Sequence, residues 1–141
     1  MVVTSSRQEA YRWAVEMSKY IENKGWSDDF QTLVAFSGSL SIPGVGEVTE
    51  VSMDGLSDVE TAFKDSDADY RVLIVASNFQ TGFDHPRLCA MYVDNVLGGV
   101  DAVQTLSRLN RIYNGTTKKP TPMVVDFVNN PASILNSLKT Y

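Results

Sequence analysis

The side chains of this chain best suited to chemistry lie within Gln104–Arg111, Q-T-L-S-R-L-N-R. On a helix turning about 100° per residue, Gln104, Ser107, Arg108 and Arg111 fall in one narrow stripe, with Ala102, Leu106, Leu109 and Tyr113 opposite. Burying the apolar side leaves two guanidiniums and an amide aimed together. A guanidinium keeps its charge and forks onto phosphate or carboxylate oxygens, so two of them one turn apart suit an anion. A solvated helix face accounts for the same stripe equally well. A second set lies between Ser77 and Arg87, S-N-F-Q-T-G-F-D-H-P-R. Gly82 there permits close backbone approach, and Asp84 offers a carboxylate to sugar hydroxyls. The competing reading is a turn in which Asp84 bonds its own backbone. Beyond these the inventory is thin. One histidine, His85, and one cysteine, Cys89, leave no metal-ligand cluster and no Ser/His/Asp set, so no metal site is expected. There is no G-x-x-x-x-G-K-[ST], and G-V-G-E-V-T at 44–49 fails the G-x-G-x-x-G pattern at its last position, so nothing cradles phosphates unaided.

Composition sets the outer limits. At 141 residues the chain has the length of one domain, 1–141, with room for a real core. An apolar fraction of 43% and a charged fraction of 21% are ordinary for a soluble globular protein. No apolar run is long enough to span a membrane and no secretory signal pattern opens the chain, so no membrane partner is expected. Cys89, set among Leu88, Ala90 and Met91, cannot form an internal disulfide, which fits a reducing cytoplasm. The net charge of −5 argues against a free-standing nucleic-acid binder, which is usually basic. Any such role must be local or shared with a partner.

The elements that would position these residues follow from periodicity and caps. Met1–Ser5 reads as a strand, and Ser6-x-x-Glu9 as a capping box opening a helix whose apolar residues recur through Ile21, with Gly25 as its stop. Leu33–Ser37 is a second strand. Ser39–Gly55, with Pro43, Gly44, Gly46 and Gly55 and no clean period, is expected to be a loop. Ser57-x-x-Glu60 caps a short helix to about Lys64, and Asp65–Asp69 is a solvated acidic loop without the glutamate of a calcium loop. Arg71–Ala76 is the most apolar strand, as in a sheet covered on both faces. Ala90–Asp94 is a fourth strand, Gly98-Gly99 a break, and Asp101-x-x-Gln104 the cap of the arginine helix. Asn114–Pro122 is a polar loop, Pro122–Val128 a fifth strand, and Ile134, Leu135, Leu138 and Tyr141 form the stripe of a last helix. The alternation predicts an α/β fold, a mostly parallel sheet with helices on both faces. Ligands of such sheets sit beyond the carboxyl ends of the strands, where Ser5–Arg7, Ser77–Asp84 and the Gln104 helix are expected to gather.

Val72–Asp84, followed about twenty residues later by Q-T-L-S-R-L-N-R, resembles motifs V and VI of superfamily 2 helicases and translocases. More narrowly, F-Q-T-G-F-D-H-P, M-Y-V-D, A-V-Q-T-L-S-R-L-N-R and V-V-D-F-V-N resemble the motor (R) subunit of type I restriction enzymes. M-V-V-T-S-S-R is similar to that family's motif IV, and L-V-A-F-S-G-S to the strand after it. The resemblance runs nearly end to end. It implies the second RecA-like domain of the motor, a P-loop-NTPase-type domain lacking its own P-loop, and hence a fragment of a longer chain. On that resemblance Arg108 and Arg111 match the motif VI arginines that reach a γ-phosphate, and Gln104 matches the glutamine that opens the motif. Gly82 and Asp84 match motif V residues near the nucleotide sugar. Ser6 and Arg7, with either Ser77 or Thr81, match residues that contact the DNA backbone. Ser107 stands where many superfamily 2 proteins have glycine, and serine fits the restriction subgroup better. The resemblance implies ATP and Mg2+ in the intact subunit only, bound mainly by a first RecA-like domain that this chain does not contain. It also implies double-stranded DNA, that first domain, a nuclease domain, and modification and specificity subunits as partners. The fragment alone is expected to be inactive. Two alternatives remain: a non-catalytic α/β module docking its Arg108/Arg111 face on an acidic protein, or the same domain of another superfamily 2 helicase or remodelling ATPase.

Overall fold

Residues two apart along a strand face the same way, and this chain alternates two apolar sets. Val3, Leu33, Ala35, Leu73, Val75, Met91 and Val93 face one side of a sheet. Val2, Val34, Phe36, Ile74 and Ala76 face the other. A sheet apolar on both faces must be covered on both, which is the architecture found. The computed structural model of the chain describes residues 1–65, 70–76, 85–115 and 118–141. Its main sheet has five strands, β1 (Val2–Thr4), β2 (Gln31–Ala35), β5 (Tyr70–Ala76), β6 (Ala90–Asp94) and β7 (Met123–Asp126). Their order is β2-β5-β1-β6-β7, and every pairing is parallel. The register sets Val2 between Ile74 and Tyr92, so each face is continuous across strands distant in sequence.

One face is covered by α1 (Arg7–Asn23), through Ala10 and Ala14 with Trp13 and Met17 beside them. The other is covered by α3 (Val59–Lys64), α4 (Gly99–Leu106) and α5 (Pro131–Thr140), through Val59, Phe63, Ala102, Leu106 and Ile134. The α/β fold with helices on both faces is therefore as expected. Exposed large apolar side chains collect at the β7 end, among them Met123, Val124, Phe127, Leu135 and Leu138.

Four local expectations need correction. Ser39–Gly55 is no loop: β3 (Ser39–Ile42) and β4 (Gly46–Thr49) form an antiparallel hairpin and α2 (Glu50–Asp54) follows. Its turn is made by Gly44 at φ 80°, which hid the alternation of Leu40, Ile42 and Val48 behind a glycine-rich reading. The capping box of α2 uses Ser52, not Glu or Gln, opposite Thr49. The cap of α3 is Asp58, whose carboxylate accepts the Thr61 amide at 3.0 Å, not Ser57. The Asp101-x-x-Gln104 cap does not form. Helix α4 begins five residues before Gln104, with Gly98 as N-cap, and the Gly99 amide donates instead to Ser137 Oγ of α5 at 3.1 Å. Finally, the helix does not run to Arg111. It tightens to a 3-10 turn over Ser107–Asn110, which stacks Leu106 and Leu109, three residues apart, toward the core. Of the acidic loop, 66–69 lie outside the described residues.

Candidate functional site at the carboxyl edge and the arginine turn

Five parallel strands bring five carboxyl ends to one edge. After β1, the buried Thr4 shares its hydroxyl proton between the carbonyls of Val75, at 2.9 Å, and Ser6, at 3.2 Å, which fixes the turn into α1. Ser6 caps that helix by accepting the Glu9 amide at 3.2 Å, so its own hydroxyl proton is left to donate outward. Arg7 is exposed and reaches across to the end of β2, where its Nη1 donates to the Ser37 carbonyl at 3.2 Å. A Cβ on Gly38 would lie 2.9 Å from that nitrogen, so the glycine makes room for the guanidinium. Ser6 and Arg7 are thus brought together on one edge beside Ser37. The sequence reading missed Ser37 and Gly38 as partners of Arg7.

The same edge is braced from β6 and β7. Asp94 Oδ2 accepts the Trp13 indole N–H at 2.8 Å, tying α1 to the end of β6. Asn129 Nδ2 donates to the Asn95 carbonyl at 2.8 Å, and its Oδ1 accepts the Leu97 amide at 2.8 Å. Asp126 in turn accepts from the Asn129 amide. This staple sets where α4 starts. From that edge α4 runs toward the amino end of β7, carrying Gln104 and the arginines away from Ser6 and Arg7.

On the arginine segment, Gln104, Ser107 and Arg111 are exposed and Arg108 is half-buried. Ser107 Oγ donates back to the Gln104 carbonyl at 3.2 Å, and Leu109 anchors the other side at 2% exposure. Arg111 lies past the turn in extended backbone, φ −72° and ψ 134°, so it does not extend the helical stripe of Gln104. Its main chain is held by Lys119, whose ammonium donates to the carbonyls of Leu109 at 2.8 Å and Arg111 at 2.9 Å. Nothing in the sequence marked Lys119. Gly82, Asp84, Ser77 and Thr81 all lie outside the described residues.

His85 is a core histidine: it is buried, its Nδ1 accepts the Arg87 amide at 3.0 Å, and its ring stands edge-on to Phe63. A concavity of about 580 Å³ is lined mainly by apolar groups such as Trp13, Met17, Tyr92 and Phe127, and by none of the polar candidates that lie among the described residues. Among the described residues, no helix is long and apolar enough to cross a membrane.

An all-parallel sheet between two helical layers, with short polar loops and an arginine at its carboxyl edge, is an α/β domain of RecA-like type. Residues 46–129 match the family described as type I restriction enzyme subunit R domain 3, and the chain belongs to that family. Over its full length it is 27% identical to the putative type I restriction enzyme MjaIXP endonuclease subunit of Methanocaldococcus jannaschii, covering 13% of that protein. Half of the chain is 33% identical to the type I restriction enzyme HindI endonuclease subunit of Haemophilus influenzae, 7% of which it covers. Half is also 39% identical to the SsaAORF53P endonuclease subunit of Staphylococcus saprophyticus, again 7% of that protein. The matching stretches therefore cover between 7% and 13% of the length of these relatives.

Proposed function

We propose that this chain is the second RecA-like domain of an ATP-dependent double-stranded DNA translocase, the R subunit of a type I restriction endonuclease. One observation carries the reading: the exposed Arg111 sits on main chain that is pinned from behind and anchored through Leu109 in the core. The amide of Gln104 and the guanidiniums of Arg108 and Arg111 suit an anion, and the segment Gln104–Arg111 contains no carboxylate. These residues fit a triphosphate presented from outside. Holding it with Mg2+ falls to the first RecA-like domain, since this sequence has no P-loop.

In that arrangement Arg111 and Arg108 offer guanidiniums to the γ-phosphate when the interdomain cleft closes, and Gln104 helps orient the nucleotide end of the segment. Charge that builds on the transferring phosphoryl group is then met by fixed cations, the main device of such catalysis. Gly82 and Asp84 are assigned to the nucleotide sugar. Ser6, Arg7 and either Ser77 or Thr81 hold the DNA backbone, with Arg7 kept at the sheet edge by Ser37. The remaining partners are the nuclease domain of the same polypeptide and the modification and specificity subunits, in the cytoplasm.

Arg111→Ala in the intact subunit tests this. Loss of an arginine finger removes roughly 10³–10⁵ in kcat, so turnover and translocation should vanish while ATP and DNA still bind. Arg111→Lys should restore little, because an ammonium cannot reproduce the planar fork. Turnover within a few-fold of wild type would sink the reading and favour a docking module for an acidic partner.

A further inference from the structure

We propose that Lys119 is the positioning residue for Arg111, an assignment that rests on the function just proposed. The last carbonyls of a helical segment have no donor within the helix. Here the turn ends at Asn110 and the chain goes extended at once. The orphaned Leu109 carbonyl and the carbonyl of Arg111 itself both receive the Lys119 ammonium. A cation is favoured at this negative end of the helix dipole. Leu109 is fixed in the core, so one ammonium ties the Arg111 backbone to an immobile point. Leu109–Tyr113 and Lys119–Pro122 then wall a concavity of about 330 Å³. Among the described residues, Lys119 donates to these two main-chain oxygens of the segment, so it sets where the guanidinium starts. Residue 119 lies in a stretch whose composition reads as plain polar loop, which is why sequence periodicity passes it over.

The test uses ATP turnover of the intact subunit. Lys119→Met keeps the stem and removes the ammonium. It should lower kcat by about 10–100-fold, as small misplacements of a catalytic group do, and leave the KM for ATP within about twofold. Lys119→Arg, which can still donate to both carbonyls, should stay within a few-fold of wild type. The decisive measurement is the double variant, read by single-turnover hydrolysis at enzyme excess, where the residual rate left by Arg111→Ala is still measurable. Lys119→Met in that background should cause no further loss, because a residue acting only through Arg111 has nothing left to position. Lys119→Gln replaces the methionine variant in the same comparison where the latter shows a lowered unfolding midpoint. Full kcat for Lys119→Met beside an inactive Arg111→Ala overturns the assignment and leaves the translocase reading standing. An additive further loss in the double variant overturns it as well, marking a general structural role. A raised KM with unchanged kcat makes Lys119 a nucleotide contact and likewise refutes the positioning role. An active Arg111→Ala removes the proposed function, and the role of Lys119 with it.

Discussion

At the scale of single residues, the edge that carries Arg7 depends on a neighbour far along the chain. Gly38 holds φ at 75°, and a Cβ there would meet Arg7 Nη1 at 2.9 Å. Gly38→Ala therefore both enters the left-handed region and pushes the guanidinium off the Ser37 carbonyl. It should destabilise the chain by roughly 1–2 kcal/mol, the usual cost of left-handed backbone for an L-residue. Arg7→Ala, at an exposed position, should lie within about 0.5 kcal/mol of wild type. Urea unfolding of both variants checks this, and equal midpoints for Gly38→Ala and wild type would contradict the backbone cost at residue 38. The two partners of this pair were unequally visible. Ser6 and Glu9 stand one turn apart, so their capping bond is written locally. The Arg7–Ser37 bond exists only once β1 and β2 are placed in one sheet, and no spacing in the sequence encodes that.

At the scale of elements, α2 serves the outer strand it packs beside. It presents Asp54, whose Oδ2 accepts the Val34 amide at 2.9 Å and so occupies an outward N–H of edge strand β2. Burial pushes this carboxyl up to about 6, against the pull of the Val34 hydrogen bond, and burial raises the nearby Glu50 as well. A carboxyl raised above its unfolded value favours the folded state when protonated. That contribution is complete below about 3.8 and is lost as pH climbs through about 6. Asn at 54 keeps an acceptor for Val34 and has no charge to bury. Wild type should thus gain stability relative to Asp54→Asn as pH falls from 7 to 5, measured by urea unfolding at the two values. A difference that is flat, or that moves the other way, would show that the burial of Asp54 does not govern this range. The element order and the parallel sheet were legible because apolar runs of strand length alternate with helical periods. The hairpin was not, since two four-residue strands around Gly44 and Gly46 are too short to show a period. The boundaries of α4 were not legible either. Its first amide is satisfied by Ser137 of α5, and the Leu109 carbonyl of the turn that follows it by Lys119, both tertiary partners that stand in for the local caps a sequence displays.

At the scale of the whole molecule, charge and missing machinery decide what the chain does by itself. Its net charge of −5 opposes long-range attraction to DNA, so the backbone contacts proposed for Ser6 and Arg7 would act at short range. Duplex binding by the isolated chain should be weak, without sequence preference, and should fade as salt rises, with Arg7→Ala flattening the salt slope by about one unit. Tight binding at physiological salt would argue against a domain that shares its DNA with others. The same logic governs ATP. Phosphoryl transfer needs a triphosphate and its metal held in register before any arginine can lower the barrier. The sequence offers arginines at 108 and 111 but no phosphate-cradling loop, and among the described residues no three metal-ligating side chains cluster. The purified 141-residue chain should therefore fold as a monomer and show no ATP turnover, with or without DNA. A phosphate-release assay with duplex DNA present is the check. DNA-stimulated hydrolysis by this chain alone would mean that the nucleotide site is complete within it, and Arg111 would then serve a site in its own domain, not one across a cleft.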